Sequence, residues 1–203
     1  MNWKALLVVA LFGWGAYQHF DQRAVHHGPG VLAAMSPVQQ PVQQPVQQPA
    51  QQGAIERGAY TIEPLASFEI AARVLSVEHY SMGREADLSP VDLALGWGRM
   101  SDSEVLKNID VTQGNRFYYW RVRDYPIPRD EIENSSANMH MVPADADIRN
   151  TLKSVRKGQI VTIKGSLIEA SAKDGWHWRS SLTRNDSGPG ACELVYVTEI
   201  HVQ

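Results

Sequence analysis

The sequence of 203 residues contains a single cysteine, Cys192. One cysteine excludes an internal disulfide framework and any metal site that is built from several thiolates. Basic residues are also scarce, because 19 Lys and Arg stand against 22 Asp and Glu and give a formal net charge of −3. This balance argues against a nucleic-acid-binding protein. Hydrophobic residues make up 43% of the chain, which is enough for a packed core.

Motifs for metal, nucleotide and serine chemistry are missing as well. The histidines after the N-terminal region are scattered and lack HxH or HExxH spacing: His79, His140, His177 and His201. The Gly-Pro-Gly segment at 188–190 lacks the Gly-Lys-Ser/Thr ending of a phosphate-binding loop. No G-x-S-x-G elbow surrounds the serines at 135–136. We therefore expect no metal and no cofactor.

Long apolar runs are absent except at the N-terminus. Residues 5–17 carry no charge, and extension to Phe20 brings the stretch close to the lower length limit of about 17 residues for a membrane-spanning helix. Contact with the membrane is expected through residues 3–20. A cleavable signal peptide and an uncleaved anchor both fit residues 1–27, and the poor cleavage site favours the anchor. Lys4 precedes the span, so the remaining chain is expected in the periplasm of a bacterium, with the protein as a single-pass inner-membrane protein.

A low-complexity segment follows this anchor. Residues 37–52 read PVQQ-PVQQ-PVQQ-PAQQ, and a proline at every fourth position blocks both helices and sheet ladders. The remaining side chains are too polar to form a core. We predict that residues 28–58 are a disordered, semi-extended linker with polyproline character.

Residues 59–203 are long enough for one globular domain. Alternating apolar residues predict strands at 68–79, 116–123, 159–170 and 192–202. Short helices are predicted at 90–95, at 101–108 with Ser101 as N-cap, and at 145–155 with Asp145 as N-cap. Turns are expected at 113–115 and 173–175. The fold class is therefore mainly β (α+β), with two or three short helices.

The run KGQIVTIKGSLIEA at 157–170, followed by a hairpin and a final strand, resembles the later half of an OB-type β-barrel. The domain is also similar to uncharacterised, membrane-tethered proteobacterial proteins over residues 68–200. Three stretches carry that resemblance: EADLSPVDLALGWG at 85–98, SANMHM at 136–141 and GWHWRSSLTR at 175–184. The resemblance implies a small OB-like barrel or curled sheet and no known activity.

Cys192 is the one candidate thiol nucleophile. Such a thiol needs a base such as His140 within hydrogen-bond reach, and the base needs a third polar group such as Asn138 to orient it. The alternative for Cys192 is a buried packing residue at the start of a strand. The stretch at 135–141 also has two interpretations. It faces a ligand, or Met139 and Met141 pack inward while the polar side chains bind local backbone groups.

Aromatic residues and arginines alternate on two predicted strands, RFYYWRVR at 116–123 and WHWR at 176–179. Such surfaces stack on nucleobases, sugars or peptide groups, and the competing interpretation is a core face with locally paired arginines. The predicted binding residues are Arg116, Tyr118, Trp120, Asn138, His140, Trp176, Trp178 and Arg179.

These observations predict a membrane-anchored binding or assembly module of the bacterial envelope without catalytic activity. Its partners would be the membrane, through residues 3–20, and another envelope protein or cell-wall material. Nucleic acid is not an expected partner, because the domain is acidic and exported. Two alternatives stay open, an envelope hydrolase that uses Cys192 and His140, and a structural accessory subunit of a membrane complex.

Overall fold

The computed structural model describes residues 23–41, 53–183 and 192–203, and this part of the chain is mainly β. Its strands are β1 (Val38–Pro41), β2 (Ile55–Arg57), β3 (Tyr60–His79), β4 (Val91–Gly96), β5 (Ile109–Gly114), β6 (Phe117–Val122), β7 (Ser136–Pro143), β8 (Ile160–Ala172), β9 (His177–Arg179) and β10 (Glu193–Val202). The helices are α1 (Arg84–Leu88), α2 (Ser103–Leu106), α3 (Arg129–Asn134) and α4 (Ala146–Ser154), with a 3₁₀ turn at Gly98–Ser101. The predicted class, mainly β with a few short helices, is confirmed.

The predicted membrane anchor at residues 3–20 lies outside the described residues. Among the residues that are described, no helix has the length and apolar character needed to span a membrane. The anchor therefore stays a prediction, as does the division of the chain at residues 27 and 58.

The sheet curls because β3 is paired along both edges. One edge of this strand pairs with β8 over residues 60–73, and the other edge pairs with β4 over residues 73–79. β4 continues to β7, β7 runs parallel to β10, and β10 returns to β8. The five strands β3, β4, β7, β10 and β8 thus form a closed ring of pairings.

The inside of this ring is the main hydrophobic core. Alternate residues of each strand point inward, which is the period-two pattern of a sheet with one buried face. Leu93 of β4, Met139 and Met141 of β7 and Val195 of β10 are among the fully buried members. Helix α4 begins at the Asp145 cap, whose carboxylate accepts a hydrogen bond from Ile148 N, and it adds Leu152 to the same core.

The β5–β6 hairpin is an insertion between β4 and β7. Its inner face packs on a second group of apolar residues that includes Ala94 of β4 and Ile132 of α3. The hairpin turn follows Gly114, as predicted, and both central residues have positive φ, 52° at Asn115 and 70° at Arg116. This insertion brings Arg116 over the outer face of the ring.

Residues within the predicted anchor and linker lie along the domain. Val25 N donates to Lys157 O at 2.8 Å, and Leu32 N and Ala33 N both donate to the Ser101 hydroxyl at 3.0 Å. Strand β1 pairs with β3 over residues 66–69. The described part of the predicted linker therefore makes defined contacts with the strands.

Two local predictions differ from the structure. Residues 91–96 form strand β4 rather than a helix, because every one of their side chains is buried between two neighbouring strands. Asp102, not Ser101, caps helix α2 by accepting a hydrogen bond from Glu104 N. Ser101 is instead buried and holds the N-terminal segment.

Gly165 permits a close approach of the ring strands β8 and β10. A Cβ at this position would overlap the carbonyl oxygen of Tyr196 on β10 and would lie 2.9 Å from its carbonyl carbon. We expect Gly165→Ala to lower the free energy of unfolding by about 3 kcal/mol. Gly114→Ala is the control, because a Cβ there meets no atom within 4 Å, and it should change stability by less than about 1 kcal/mol. Urea unfolding followed by tryptophan fluorescence measures both, and equal stability of the two variants would contradict the close approach.

Candidate functional site

A cleft of about 340 Å³ opens on the outer face of the ring, between the β5–β6 hairpin, β7 and β9. Its walls combine aromatic, charged and sulfur-bearing side chains: Glu85, Arg116, Phe117, His140, Trp176, His177, Trp178, Arg179 and Cys192. Five of the eight predicted binding residues are therefore in its lining, together with both residues of the hydrolase alternative. Asn138 lies directly beneath, as described below.

Asp92 is the buried anion of this region. Its side chain has no exposed surface, and Oδ1 forms an ion pair of 2.7 Å with Arg116 Nη1. Oδ2 lies 3.0 Å from Nδ1 of His140, which faces Asp92 across the β4–β7 pair. The angle of this second approach does not meet hydrogen-bond geometry, so it is an electrostatic contact. A single carboxylate thus contacts two of the basic groups of the cleft, Arg116 and His140.

Arg116 is held in an unfavourable backbone conformation by several contacts. A positive φ is rare for a residue with a side chain and costs about 1–3 kcal/mol. Its N–H donates to the Tyr80 hydroxyl at 3.0 Å, and its guanidinium lies 3.6 Å from the centre of the Tyr80 ring. Nη1 also donates to Ser89 O at 3.0 Å. These contacts offset the strain and orient the guanidinium toward Asp92.

The carbonyl oxygen of Arg116 contacts side chains from β7 and from the residue that precedes β10. Asn138 Nδ2 on β7 donates to it at 2.9 Å, and Cys192 Sγ lies 4.0 Å away. Gln113 Nε2 on β5 donates to Asn138 Oδ1 at 2.6 Å. Cys192 precedes the residue that pairs with Met139, so the parallel register brings it beside Asn138. The structure therefore places Cys192, Asn138 and His140 in one polar cluster.

Strand β9 supplies the aromatic wall. It pairs with β8, and this pairing holds Trp178 opposite Ala170. The Trp178 ring lies 4.8 Å from the His140 ring and 6.4 Å from Trp176, measured between centroids. Trp176 also makes an edge contact with Tyr60 at 5.5 Å. The two tryptophans are thus fixed by neighbours and remain partly exposed.

The charges on the open side of the cleft are mixed. Arg179 is half exposed and pairs with Glu169, its neighbour across β8 and β9. His177 and Glu85 are exposed beside it. The cleft therefore presents cationic, anionic and aromatic groups to a ligand rather than a field of one sign.

Tyr118 and Trp120 are not part of the cleft lining. They face the opposite side of β6 from Phe117 and Tyr119 and pack on the apolar residues beneath the hairpin. The Tyr118 hydroxyl lies 3.3 Å from Ser136 O, and burial raises the pKa of its phenol above the ordinary value. The alternation of inward and outward side chains on β6 was predicted. However, Tyr118 and Trp120, which were predicted to bind the ligand, are on the face that packs inward.

Asp92, Tyr80 and Gln113 contribute to this region and were not among the predicted residues. Asp92 was assigned to a helix, where one face is exposed to solvent. A signal for its role was present in the sequence, because it is the only charge within the apolar run VDLALG at 91–96. An isolated charge in a buried strand needs a partner, and Arg116 and His140 provide it.

Within residues 23–41, 53–183 and 192–203, no three His, Cys, Asp or Glu side chains converge where they could ligate a metal ion. Asp92 and His140 lie close together and are two residue types that ligate metals, but Arg116 binds the other oxygen of the Asp92 carboxylate. The absence of metals and cofactors stays a prediction from the sequence.

Comparisons with known proteins find no counterpart. No protein-family model, no curated protein and no solved structure matches this chain. The roles of the cleft residues are therefore argued from geometry and chemistry alone.

We expect Asp92→Asn to lower the free energy of unfolding by about 3 kcal/mol, because Arg116 would lose the partner of its buried charge. Asp110→Asn is the matched control, since Asp110 is exposed on β5, and its effect should stay within about 0.5 kcal/mol. Urea unfolding of both variants measures the difference. A fully stable Asp92→Asn protein would show that the Arg116 ion pair does not support the fold.

Proposed function

We propose that the five-strand ring is an OB-like barrel and that the protein is a binding module of the bacterial envelope. An OB fold is a five-stranded Greek-key barrel. The strand order supports this assignment. In chain order the ring strands are β3, β4, β7, β8 and β10, the first three form an antiparallel meander, and the fifth is parallel to the third. Helix α4 lies between the third and fourth strands.

The position of the cleft is the observation that carries the proposed function. OB folds bind oligosaccharides and oligonucleotides on the face of strands two and three and in the loops between strands one and two and between strands four and five. Here His140 lies on the third strand, Glu85 lies between the first and second, and Trp178 lies between the fourth and fifth. The cleft thus coincides with the ligand-binding region of the proposed fold.

The chemistry of the cleft favours cell-wall material as the ligand. Tryptophan rings offer apolar faces for sugar rings, and arginines bind carboxylates. Trp176 and Trp178 provide the aromatic faces at the open side, and Arg179, which pairs with Glu169, is half exposed and can exchange that partner for a carboxylate of the ligand. Nucleic acid is not favoured, because the chain has a net charge of −3 and its Arg116 is already neutralised by Asp92. A protein of the envelope is the second candidate partner.

The N-terminal sequence completes the proposal. The segment at 3–20 would anchor the chain in the inner membrane, and the PVQQ repeats would hold the domain away from the bilayer. The domain would then lie in the periplasm, where cell-wall material is within reach. A purely structural subunit of a membrane complex would use the same anchor but would not need the aromatic cleft.

Cosedimentation with isolated peptidoglycan sacculi tests the proposal on the full-length protein. We expect Trp176→Ala and Arg179→Ala each to weaken binding about tenfold, since a central contact contributes more than about 1 kcal/mol. Arg179 is half exposed, so its variant keeps the fold. Tyr119→Ala is the control, because Tyr119 is an exposed aromatic residue on the outer face of β6.

Three outcomes are distinguishable in this experiment. Loss of binding in both cleft variants but not in Tyr119→Ala supports the proposal. Wild-type protein that does not sediment with sacculi contradicts the cell-wall ligand. Crosslinking in native membranes then identifies a protein partner, and capture that is unaffected by the cleft variants would contradict a binding role for the cleft.

A specific observation also favours the hydrolase alternative. His140 contacts the buried carboxylate of Asp92 on one side and lines the same cleft as Cys192. A base that is oriented by a carboxylate is the arrangement that activates a cysteine nucleophile, so Asp92 replaces Asn138 as the orienting group. The thiol would transfer its proton to His140 while sulfur attacks the carbonyl carbon of an amide. The amine would leave with that proton, and water would then hydrolyse the thioester.

Release of soluble fragments from sacculi tests this second candidate. If the cleft is hydrolytic, Cys192→Ala and His140→Gln lower the rate of release about a hundredfold or more and leave cosedimentation intact. His201→Gln is the matched control, because His201 is exposed on β10 outside the cleft. Unchanged release by Cys192→Ala would exclude thiol catalysis.

A further inference from the structure

A second cavity of about 300 Å³ lies on another part of the domain, between β3, α2 and the N-terminal segment. Its described polar lining is basic or neutral: His26, His27, Arg73, Ser103, Lys107 and Lys157. Among the residues that the structure describes, no Asp or Glu lines it, although acidic residues outnumber basic residues in the chain. Lys107 Nζ pairs with Glu104 Oε1 at 2.6 Å, so the positive charge of the cavity comes mainly from Arg73 and Lys157.

Arg73 is the buried charge of this cavity. It is located where β3 is paired with both β4 and β8, opposite Gly96 and Ile160, and 7% of its surface is exposed. Its Nη1 donates to Ser101 O at 3.0 Å and to Ser103 Oγ at 2.8 Å. In the described residues no carboxylate forms an ion pair with it. A buried guanidinium that binds only neutral oxygens is undercompensated.

The carboxylate of Asp102 interacts electrostatically with Arg73 but takes its hydrogen bonds from other groups. Its Oδ1 accepts hydrogen bonds from Gly30 N at 3.0 Å and Glu104 N at 2.9 Å. Burial holds the pKa of the Arg73 guanidinium below its ordinary value, and the charge of Asp102 opposes that effect only in part. An anion in the cavity would supply the missing charge.

The rest of the lining is apolar. Val74 and Leu75 of β3, Leu106 of α2, and Ile109 and Val111 of β5 form this side. Hydrophobic walls with a few converging charged groups are typical of small-molecule sites, and a volume of about 300 Å³ is at the lower end of their range.

The N-terminal segment closes the basic side. His27 Nε2 donates to Gly158 O at 2.8 Å, while Ser103 Oγ donates to the carbonyl oxygen of His27 at 2.9 Å. The same hydroxyl accepts the hydrogen bond from Arg73. The segment is thus bound to the guanidinium through one serine.

We propose that this cavity binds a small amphipathic anion, with a carboxylate or phosphate group at Arg73, Lys107 and Lys157 and an apolar chain against β3, α2 and β5. The headgroup could belong to a free metabolite or to a lipid. The site is separate from the aromatic cleft, so its function does not depend on the function proposed above.

Isothermal titration of the full-length protein, kept without detergent in nanodiscs of zwitterionic lipid, tests this site. The probes are octyl phosphate, octanoate, inorganic phosphate and octanol. We expect octyl phosphate and octanoate to bind, and inorganic phosphate and octanol to bind at least tenfold more weakly. Equal affinity for octanol would overturn the role of charge, and equal affinity for inorganic phosphate would overturn the apolar half of the site. Repetition with octyl phosphate incorporated in the nanodisc bilayer distinguishes a membrane-borne headgroup from a free one.

The variants locate the bound anion. Arg73→Met should weaken octyl phosphate binding at least tenfold, and so should the double variant Lys107→Ala with Lys157→Ala, whose side chains are exposed and whose loss leaves the fold intact. Arg121→Met is the matched control, since Arg121 is exposed on the outer face of β6. Full affinity in the double variant, or an equal loss in Arg121→Met, would overturn the proposed site.

Discussion

The buried carboxylate of Asp92 is the interaction on which the aromatic cleft depends. It lies on a ring strand whose side chains are all buried, and it contacts a basic group from the inserted hairpin and another from the neighbouring strand. Removing a carboxylate from water is costly unless partners compensate for its charge. The insertion therefore cannot lie elsewhere on the ring without depriving Asp92 of its arginine partner. This requirement fixes the hairpin tip, and with it the wall of the cleft.

The ring of strands provides the rigid support for this arrangement. β3 is long enough to pair with two different ring neighbours in succession, so the sheet closes on itself and buries one continuous core. Residues that point outward on β4 and β7 are then free to carry polar groups. Asp92 and His140 use that outer face, whereas their sequence neighbours Leu93 and Met139 fill the inside. The same alternation thus serves both the core and the candidate site.

Local sequence signals predicted much of the fold but not the contacts between distant segments. Asp145 as a cap, the hairpin turn after Gly114 and the strand near the C-terminus follow from short-range patterns, and all are present. Strand β4 was missed because its run is short and follows a proline, which leaves helix and strand equally compatible with the pattern. The alternation on β6 predicted that the strand has two different faces, but it did not show which of them packs inward. Tyr118 and Trp120 were therefore predicted to bind the ligand. The pairing of Asp92 with Arg116 depends on where the inserted hairpin packs, and the spacing of apolar residues in the sequence cannot predict that.

The central claim is that the cleft between the hairpin, β7 and β9 is the binding surface of this domain. The most direct test is photo-crosslinking in native envelopes, with a benzophenone-bearing residue in place of His177 in the cleft or in place of Tyr119 on the outer face of the hairpin. Both positions are exposed, so a difference in crosslinking between them reflects contact with the partner and not solvent accessibility. We expect a specific adduct with cell-wall material or one envelope protein from position 177 and none from position 119. Adducts from position 119 alone would contradict the central claim, because Tyr119 does not line the cleft.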